Sequence, residues 1–259
     1  MIGALFGGFF ELAKKPFLVL PSIFAAVFFT VLALFSQPIM QVIVFDLALG
    51  GNMPQANLFQ LPFLLYKIYA NDINILLAMA FVFGVANNWL AFCFARFAKE
   101  RKSVFDAMGF ATKNIVKEAY LAIFQGAILA LFFVLFLLAA LLGSVSPWLF
   151  LIAIIIIAVL ALLAYLVLVF LPAAIAVDDL SIKDGLKNSG DFVKKRALAA
   201  IVFIFVVGLI YNLITGIGTN LADTISDDNI ALAVDFAFLL VAISYASMAV
   251  PLYYVSASE

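Results

Sequence analysis

Apolar residues run almost unbroken along most of this chain, and the polar ones gather in a few short stretches between the runs. A bilayer core of about 30 Å is crossed by about 20 apolar residues in a helix. Six runs reach that length: Phe17–Phe35, Ile73–Ala95, Ala119–Leu142, Trp148–Leu171, Ala197–Ile217 and Ile230–Val255. No Lys or Arg interrupts them, and Arg96 stands just past the second. Backbone amides in lipid have no water to bond, so a crossing segment is a helix or part of a closed barrel. The alternation of polar and apolar positions that marks barrel strands is missing from the sequence. The pattern predicts an all-α fold, a polytopic membrane helical bundle whose six transmembrane helices form one domain over residues 1–259.

The polar stretches carry a second pattern. Ahead of the first, third and fifth runs, apolar residues recur at intervals of four, three and four. They are Ile2, Phe6, Phe9 and Ala13; then Val104, Met108, Ala111 and Ile115; then Ile182, Leu186, Ser189 and Val193. That spacing is a stripe along one helix face. Each segment ends in a lysine column, Lys15, Lys117 and Lys195, and the next run follows. The second and third copies also share Ser103 with Ser181, Asp106 with Asp184 and Ala107 with Gly185, where the first has Gly3, Ala4 and the pair Gly7-Gly8. We read three parallel two-span repeats, at about residues 1–101, 102–179 and 180–259. Each would be an amphipathic cytoplasmic helix, an outward span, an external loop and a return span. The amphipathic helices are expected in the interface, stripe in the acyl boundary and lysines among headgroups. The alternative is a solvated connector that caps the next span.

Charge adds an orientation. All of the 14 basic residues except Lys67 fall on one side of the six runs, while Asp46, Asp72, Asp223, Asp227 and Asp228 fall on the other. The positive-inside rule makes the basic side cytoplasmic, with both termini there, and places the chain in a cell membrane. The formal net charge of −1 conceals this asymmetry. Composition agrees, at 68% hydrophobic and 11% charged, against about 45–50% and about 25% in soluble domains. The first run is longer than a signal-peptide core and lacks a small-x-small cleavage site, so it is expected to stay as a span. With no His and Cys93 as the single cysteine, His-based triads, HExxH zinc sites, His-held haem and intramolecular disulfides are excluded. Gly-rich phosphate loops and a GxSxG elbow are also missing. No cofactor, no metal and no enzymatic activity is expected.

The run from Leu171 through Pro172, Val177, Asp178, Asp179, Ser181, Asp184 and Gly185 to Ser189 resembles the loop after the fourth span in a broad group of six-span prokaryotic membrane proteins. That group includes the membrane domain fused to some glycerophosphodiester phosphodiesterases. Its pattern is a span ending in Pro-x-x-x, an acidic residue, a small or Ser residue, then an acidic-small-apolar-basic helix start. The stretch Phe97 to Met108 resembles it more weakly. The resemblance implies a prokaryotic cell membrane and the six-span layout, and it implies no catalytic residues. The phosphodiesterase domain does not occur in these residues, so its activity does not carry over.

Polar side chains within spans are the candidates for function. Asn87 and Asn88 stand together mid-span, Gln125 lies early in the third run, Asn212 late in the fifth with Thr215, and Asp235 is the one carboxylate inside the predicted runs. Converging, they would line a polar cavity; apart, they are interhelical bonds worth about 0.6 kcal/mol each. Adjacent Asn87 and Asn88 point about 100° apart. Lys15, Lys117, Lys194, Lys195 and Arg196 are candidate headgroup contacts, each worth about 1 kcal/mol near an anionic surface. Ala122, Gly126 and Ala130 form a small-residue row suited to close packing, and Cys93 reads as an inert packing residue. Asp178, Asp179 and Asp184 alternate with lysines as at a helix start. In the outer loop, Met40, Ile43, Val44 and Leu47 suggest a short helix broken at Gly50-Gly51, and Leu58 to Tyr69 an interfacial or re-entrant piece. The expected function is a non-enzymatic membrane protein that handles or senses lipid or scaffolds membrane partners. Its partners would be membrane lipids and a membrane protein, not nucleic acid. The alternative is a small-solute or ion transporter or channel with a polar site between the repeats. The sequence leaves the oligomeric state open.

Overall fold

The computed structural model describes residues 1–48, 67–101 and 103–258, which are helical almost throughout, with no strand among them. In chain order the elements are α1 (Ile2–Lys14), a 3-10 turn (Pro16–Val19), α2 (Leu20–Ala48), α3 (Ala70–Glu100), α4 (Val104–Lys113), α5 (Ile115–Val145), α6 (Pro147–Asp178), α7 (Ile182–Ala222) and α8 (Asp228–Ser258). Six helices, α2, α3 and α5 to α8, are long and apolar enough to cross a membrane. In α5, only 6% of the most apolar window is buried by protein, and Leu129, Leu131 and Phe133 are exposed. Apolar surface on that scale needs lipid rather than water around it. This is the architecture of a multi-pass membrane protein.

The helices extend past the apolar runs. At the basic end α3 continues to Glu100 and α6 to Asp178, because a helix need not stop where hydropathy does when polar side chains can reach water. The same extension corrects two expectations. The helix expected at Met40 to Leu47 is the continuation of α2, which runs to Ala48. Glu118 falls inside α5, so Asp235 is not the one carboxylate in a spanning helix. Gly50-Gly51 and Leu58 to Tyr66 lie outside the described residues.

Each amphipathic segment meets its span at a break. Lys15 (φ −132, ψ 78) separates α1 from the turn before α2, because Pro16 drives its predecessor out of the helical region. Asn114 (φ −98, ψ 12) separates α4 from α5 and turns its amide back onto Phe110 O at 2.9 Å. Arg196 (φ −139, ψ 27) kinks α7 without ending it, so the third amphipathic segment and its span are one helix. Ser103 caps α4 by accepting from Phe105 N, and Ser181 caps α7 by accepting from Asp184 N, both at 3.2 Å. Ser181 also donates to Asp184 Oδ2 at 2.6 Å.

The chain divides into two compact units. One comprises Met1–Ala26, Val85–Leu121 and Leu162–Glu259; the other comprises Val27–Gly84 and Ala122–Ala161. Within the second, α5 and α6 make a hairpin through Ser146, with Phe150 3.5 Å from the position of a Cβ on Gly143. Phe29 and Phe83 place their rings 5.9 Å apart. A Cβ on Gly84 would lie 3.2 Å from that of Ala122. The small-residue row is used for packing only at Ala122, since Gly126 and Ala130 are exposed.

The first unit holds the basic ends. There a cation at each junction reaches the end of a return helix. Lys15 donates to Arg101 O at 3.0 Å, Lys117 to Asp179 Oδ1 at 3.3 Å, and Arg196 to Ala257 O. Lys99 donates likewise to Val177 O near the end of α6. Rings of Phe170, Phe192, Phe203, Tyr253 and Tyr254 interlock α6, α7 and α8, with Phe203 and Tyr253 stacked at 4.2 Å. Ser244 donates to Ser22 at 2.7 Å in full burial, and Phe9 of α1 stacks on Tyr245 of α8 at 4.3 Å.

The three apolar stripes occupy different surroundings. In α1, Ile2, Phe6 and Phe9 are exposed, and burial falls instead on Ala4, Leu5 and Gly8. In α4, Val104 and Ala111 are buried. At the start of α7, Ser189 and Val193 are buried, and Ser189 donates to Val167 O at 2.6 Å. The α7 stripe thus packs on protein, which removes it from the acyl boundary where it was expected.

Gly185 shows how tight that packing is: a Cβ there would lie 2.3 Å from Ile175 Cγ1. A Gly→Ala change inside a helix gains about 0.5–1 kcal/mol, while overpacking a closed core costs about 1–3 kcal/mol. Gly185→Ala is therefore expected to lower the thermal midpoint of the purified protein in detergent. Gly126→Ala, with nothing within 4 Å of the added carbon, is expected to leave it level or raise it slightly.

Candidate functional site

A recess of about 390 Å³ opens at the basic end of the first unit. The helix α1 contributes Gly3, Gly7 and Glu11, the end of α3 contributes Lys99 and Arg101, and α8 contributes Leu252 and Ser256. The glycines make the room: a Cβ on Gly3 would meet nothing within 4 Å. Arg101 ends α3 in the left-handed region (φ 53) and is exposed, while its carbonyl is held by Lys15, whose ammonium also lies 4.7 Å over the Phe97 ring. Lys99 is drawn toward the end of α6, donating to Val177 O and standing 3.8 Å from Asp178. Two cations against one carboxylate give the recess a positive balance. A guanidinium beside it offers the paired donors that suit a phosphate or carboxylate.

The neighbouring face of α1 is apolar and outward. Ile2, Phe6 and Phe10 are each about 60% exposed or more. The element that walls the polar recess therefore also displays a row of aromatic and aliphatic side chains. That pairing of a charged pocket with an uncovered apolar face is amphiphilic in chemistry.

No known protein family, curated protein or solved structure matches the chain. The functional reading accordingly rests on the residues.

The polar residues singled out in the spans go to separate partners. Asn88 is fully buried and donates from Nδ2 to Glu118 O at 3.2 Å, while its neighbour Asn87 is exposed. Asn212 is exposed and donates to Gly208 O of its own helix at 2.8 Å. Asp235 accepts from Thr219 at 2.9 Å, between α7 and α8. Gln125, half-buried, belongs to the second unit and is engaged there. Among the five, then, Asn88 is tied to α5, Asp235 to α7 and Asn212 to itself.

Of the five headgroup candidates, Lys15, Lys117 and Arg196 are engaged with helix ends as described, and Arg196 lies 5.4 Å over the Phe192 ring. Lys194 and Lys195 are exposed. Lys99 and Arg101 of the recess were not singled out by sequence, because the lysine columns drew attention to the junctions before the spans rather than to the ends of the return helices. Glu118 was missed too. It is fully buried, and its two carboxylate oxygens have no hydrogen-bond partner among the described residues. The signal for it was helical: one turn before Ala122, on the same side as the small-residue row, stands Glu118. Cys93 is buried as expected.

These placements separate two asparagines that composition alone treats alike. Replacing Asn88 by Ala strands the Glu118 carbonyl environment and a cavity in a closed site, and is expected to cost about 1–3 kcal/mol. Asn212→Ala removes a bond the helix makes with itself at an exposed position, and is expected to stay within about 0.5 kcal/mol. Denaturation of the two variants in mixed micelles, followed by helical circular dichroism, gives both values.

Proposed function

We propose that this is a non-enzymatic, multi-pass protein of a prokaryotic cell membrane that binds anionic lipid at its basic, cytoplasmic end. The observation that carries the reading is the recess between α1, α3 and α8: Lys99 and Arg101 at a polar hollow, beside a helix whose aromatic stripe is uncovered. An anionic headgroup fits the hollow by charge, and the exposed Phe6 and Phe10 suit the adjoining acyl boundary. The charge asymmetry of the sequence supports the cytoplasmic placement of this end and of both termini. The likeness of Leu171 to Ser189 to a membrane domain attached to lipid-diester enzymes points the same way by association.

Of the three amphipathic segments, α1 is the one best suited to lie in the interface. Its stripe is uncovered, while that of α7 is engaged in packing. Scaffolding of a membrane partner is compatible with the same surface, with lipid as its adhesive. The transporter alternative finds less support, because the polar residues it relied on bond to separate partners.

The test is native mass spectrometry of the protein released from mild detergent, with phosphatidylglycerol and phosphatidylcholine titrated in parallel. Phosphatidylglycerol is expected to remain bound at fixed stoichiometry after phosphatidylcholine has been stripped. Arg101→Ala is expected to weaken it about fivefold, the equivalent of about 1 kcal/mol for one basic residue at an anionic surface. Gly3→Trp, which fills the hollow without touching a neighbour, is expected to abolish the stoichiometric adduct. Equal retention of both lipids, or adducts indifferent to both substitutions, would overturn the reading.

A further inference from the structure

We infer that Glu118 is a proton-binding site inside the helical core, independent of the lipid recess. The geometry is that of a carboxyl group closed off from solvent and from salt bridges. Glu118 is 0% exposed, and among the described residues neither oxygen accepts or donates a hydrogen bond.

The ordinary explanation for an acid at this position is the helix dipole, because Glu118 lies in the first turn of α5. That interaction is worth about 0.3–1 kcal/mol, and about 2 at best. Burial of an unpaired ion costs several kcal/mol, so the dipole alone does not hold an anion there. A compensating positive charge has to come from a side chain, a metal ion or a proton.

The side chains nearby are committed elsewhere. Lys117, the next residue back, pairs with Asp179. Arg96 pairs with Glu100 and lies 4.6 Å over the Phe110 ring. Lys99 reaches Val177 O and Asp178. The groups that α3 sets against Glu118 are Asn88, whose Nδ2 donates to the Glu118 main-chain carbonyl, and the buried thiol of Cys93, which is within electrostatic reach.

That set suits a metal ion poorly. Hard cations take about six or more oxygens, and no group of three or more His, Cys, Asp or Glu is assembled among the described residues. A proton needs one oxygen and no cavity. Uptake of a proton leaves the site neutral, and its release leaves a charge beside the α3–α5 contact that Asn88 makes. The site thus couples a proton to the packing of two spanning helices.

Four glutamates occur in the sequence, Glu11, Glu100, Glu118 and Glu259, which makes a spectroscopic test direct. Protein labelled with carbonyl-¹³C glutamate is reconstituted in phosphatidylglycerol and phosphatidylcholine vesicles and followed by infrared spectroscopy from mildly acid to mildly alkaline buffer. The expected result is a protonated-acid C=O band in neutral buffer that shifts with the label and is lost from Glu118→Gln. In Glu118→Asp the band is expected to change frequency and lose its label sensitivity. Should both variants fail to fold, the labelled wild type still decides, since Glu11 and Glu100 are only half-buried and Glu100 is paired with Arg96. The inference is overturned if neutral buffer shows no label-sensitive acid band, or if the band survives in Glu118→Gln. A band displaced by sodium at constant pH would also overturn it, and would assign the site to a metal cation instead.

Discussion

A helix that reaches the edge of the apolar layer ends in carbonyls with no further turn to accept from. Left bare in a partly dry setting, each such group costs about what a lost hydrogen bond costs. In the first unit those ends are met by cations. Lys15 bonds Arg101 O, Lys99 bonds Val177 O, and Arg196 bonds Ala257 O. The negative end of each helix dipole favours a positive charge at the same place. The packing of the basic end follows from this, because a cation that must reach a carbonyl fixes where the helix bearing it can lie.

The same requirement explains why basic residues crowd one end. Read as topology, the asymmetry says only which side stays in the cytoplasm. Read with the contacts, several of those charges also close helix ends and stack on Phe97, Phe110 and Phe192. Charges committed in this way are less available to headgroups. The lipid-facing task then passes to those that remain exposed, with Arg101 at the recess and Lys194 and Lys195 on α7. Counting cations from sequence would overstate the attraction of this end for anionic lipid.

The six spans were legible because length and hydropathy are properties of the chain itself, and a helix is the way a long apolar run satisfies its amides in lipid. The breaks were legible near Lys15, where proline dictates one, and at Arg196, where the basic cluster meets the run. What the sequence could not convey was which side of an amphipathic stripe would find protein. Ile2 and Ile182 hold equivalent places in the pattern, yet the α1 stripe is uncovered and Ser189 and Val193 of α7 are closed. Gly185 supplies part of the difference, because its missing side chain lets α7 settle against Ile175 and Leu171. Glu118 escaped for a related reason. It stands beside Lys117 before an apolar run, where a carboxylate is usually solvated, and only the approach of α3 through Asn88 and Cys93 makes it interior.

The two sites ask different things of the fold. The recess lies where α1 meets the ends of α3 and α8, and α1 is seated through Gly8 and Phe9 against Tyr245. A lipid drawn to Arg101 would therefore press on a helix that is held largely by its small-residue face. Glu118 lies where α3 and α5 share one amide contact. Both sites include α3, the first at Lys99 and the second at Asn88 and Cys93, three turns of the helix apart at most. A helix that bears a lipid contact at its end and a protonatable partner along its length is a physical link through which the state of one can bias the other. It needs no moving part beyond the tilt or slide of α3 within its own unit.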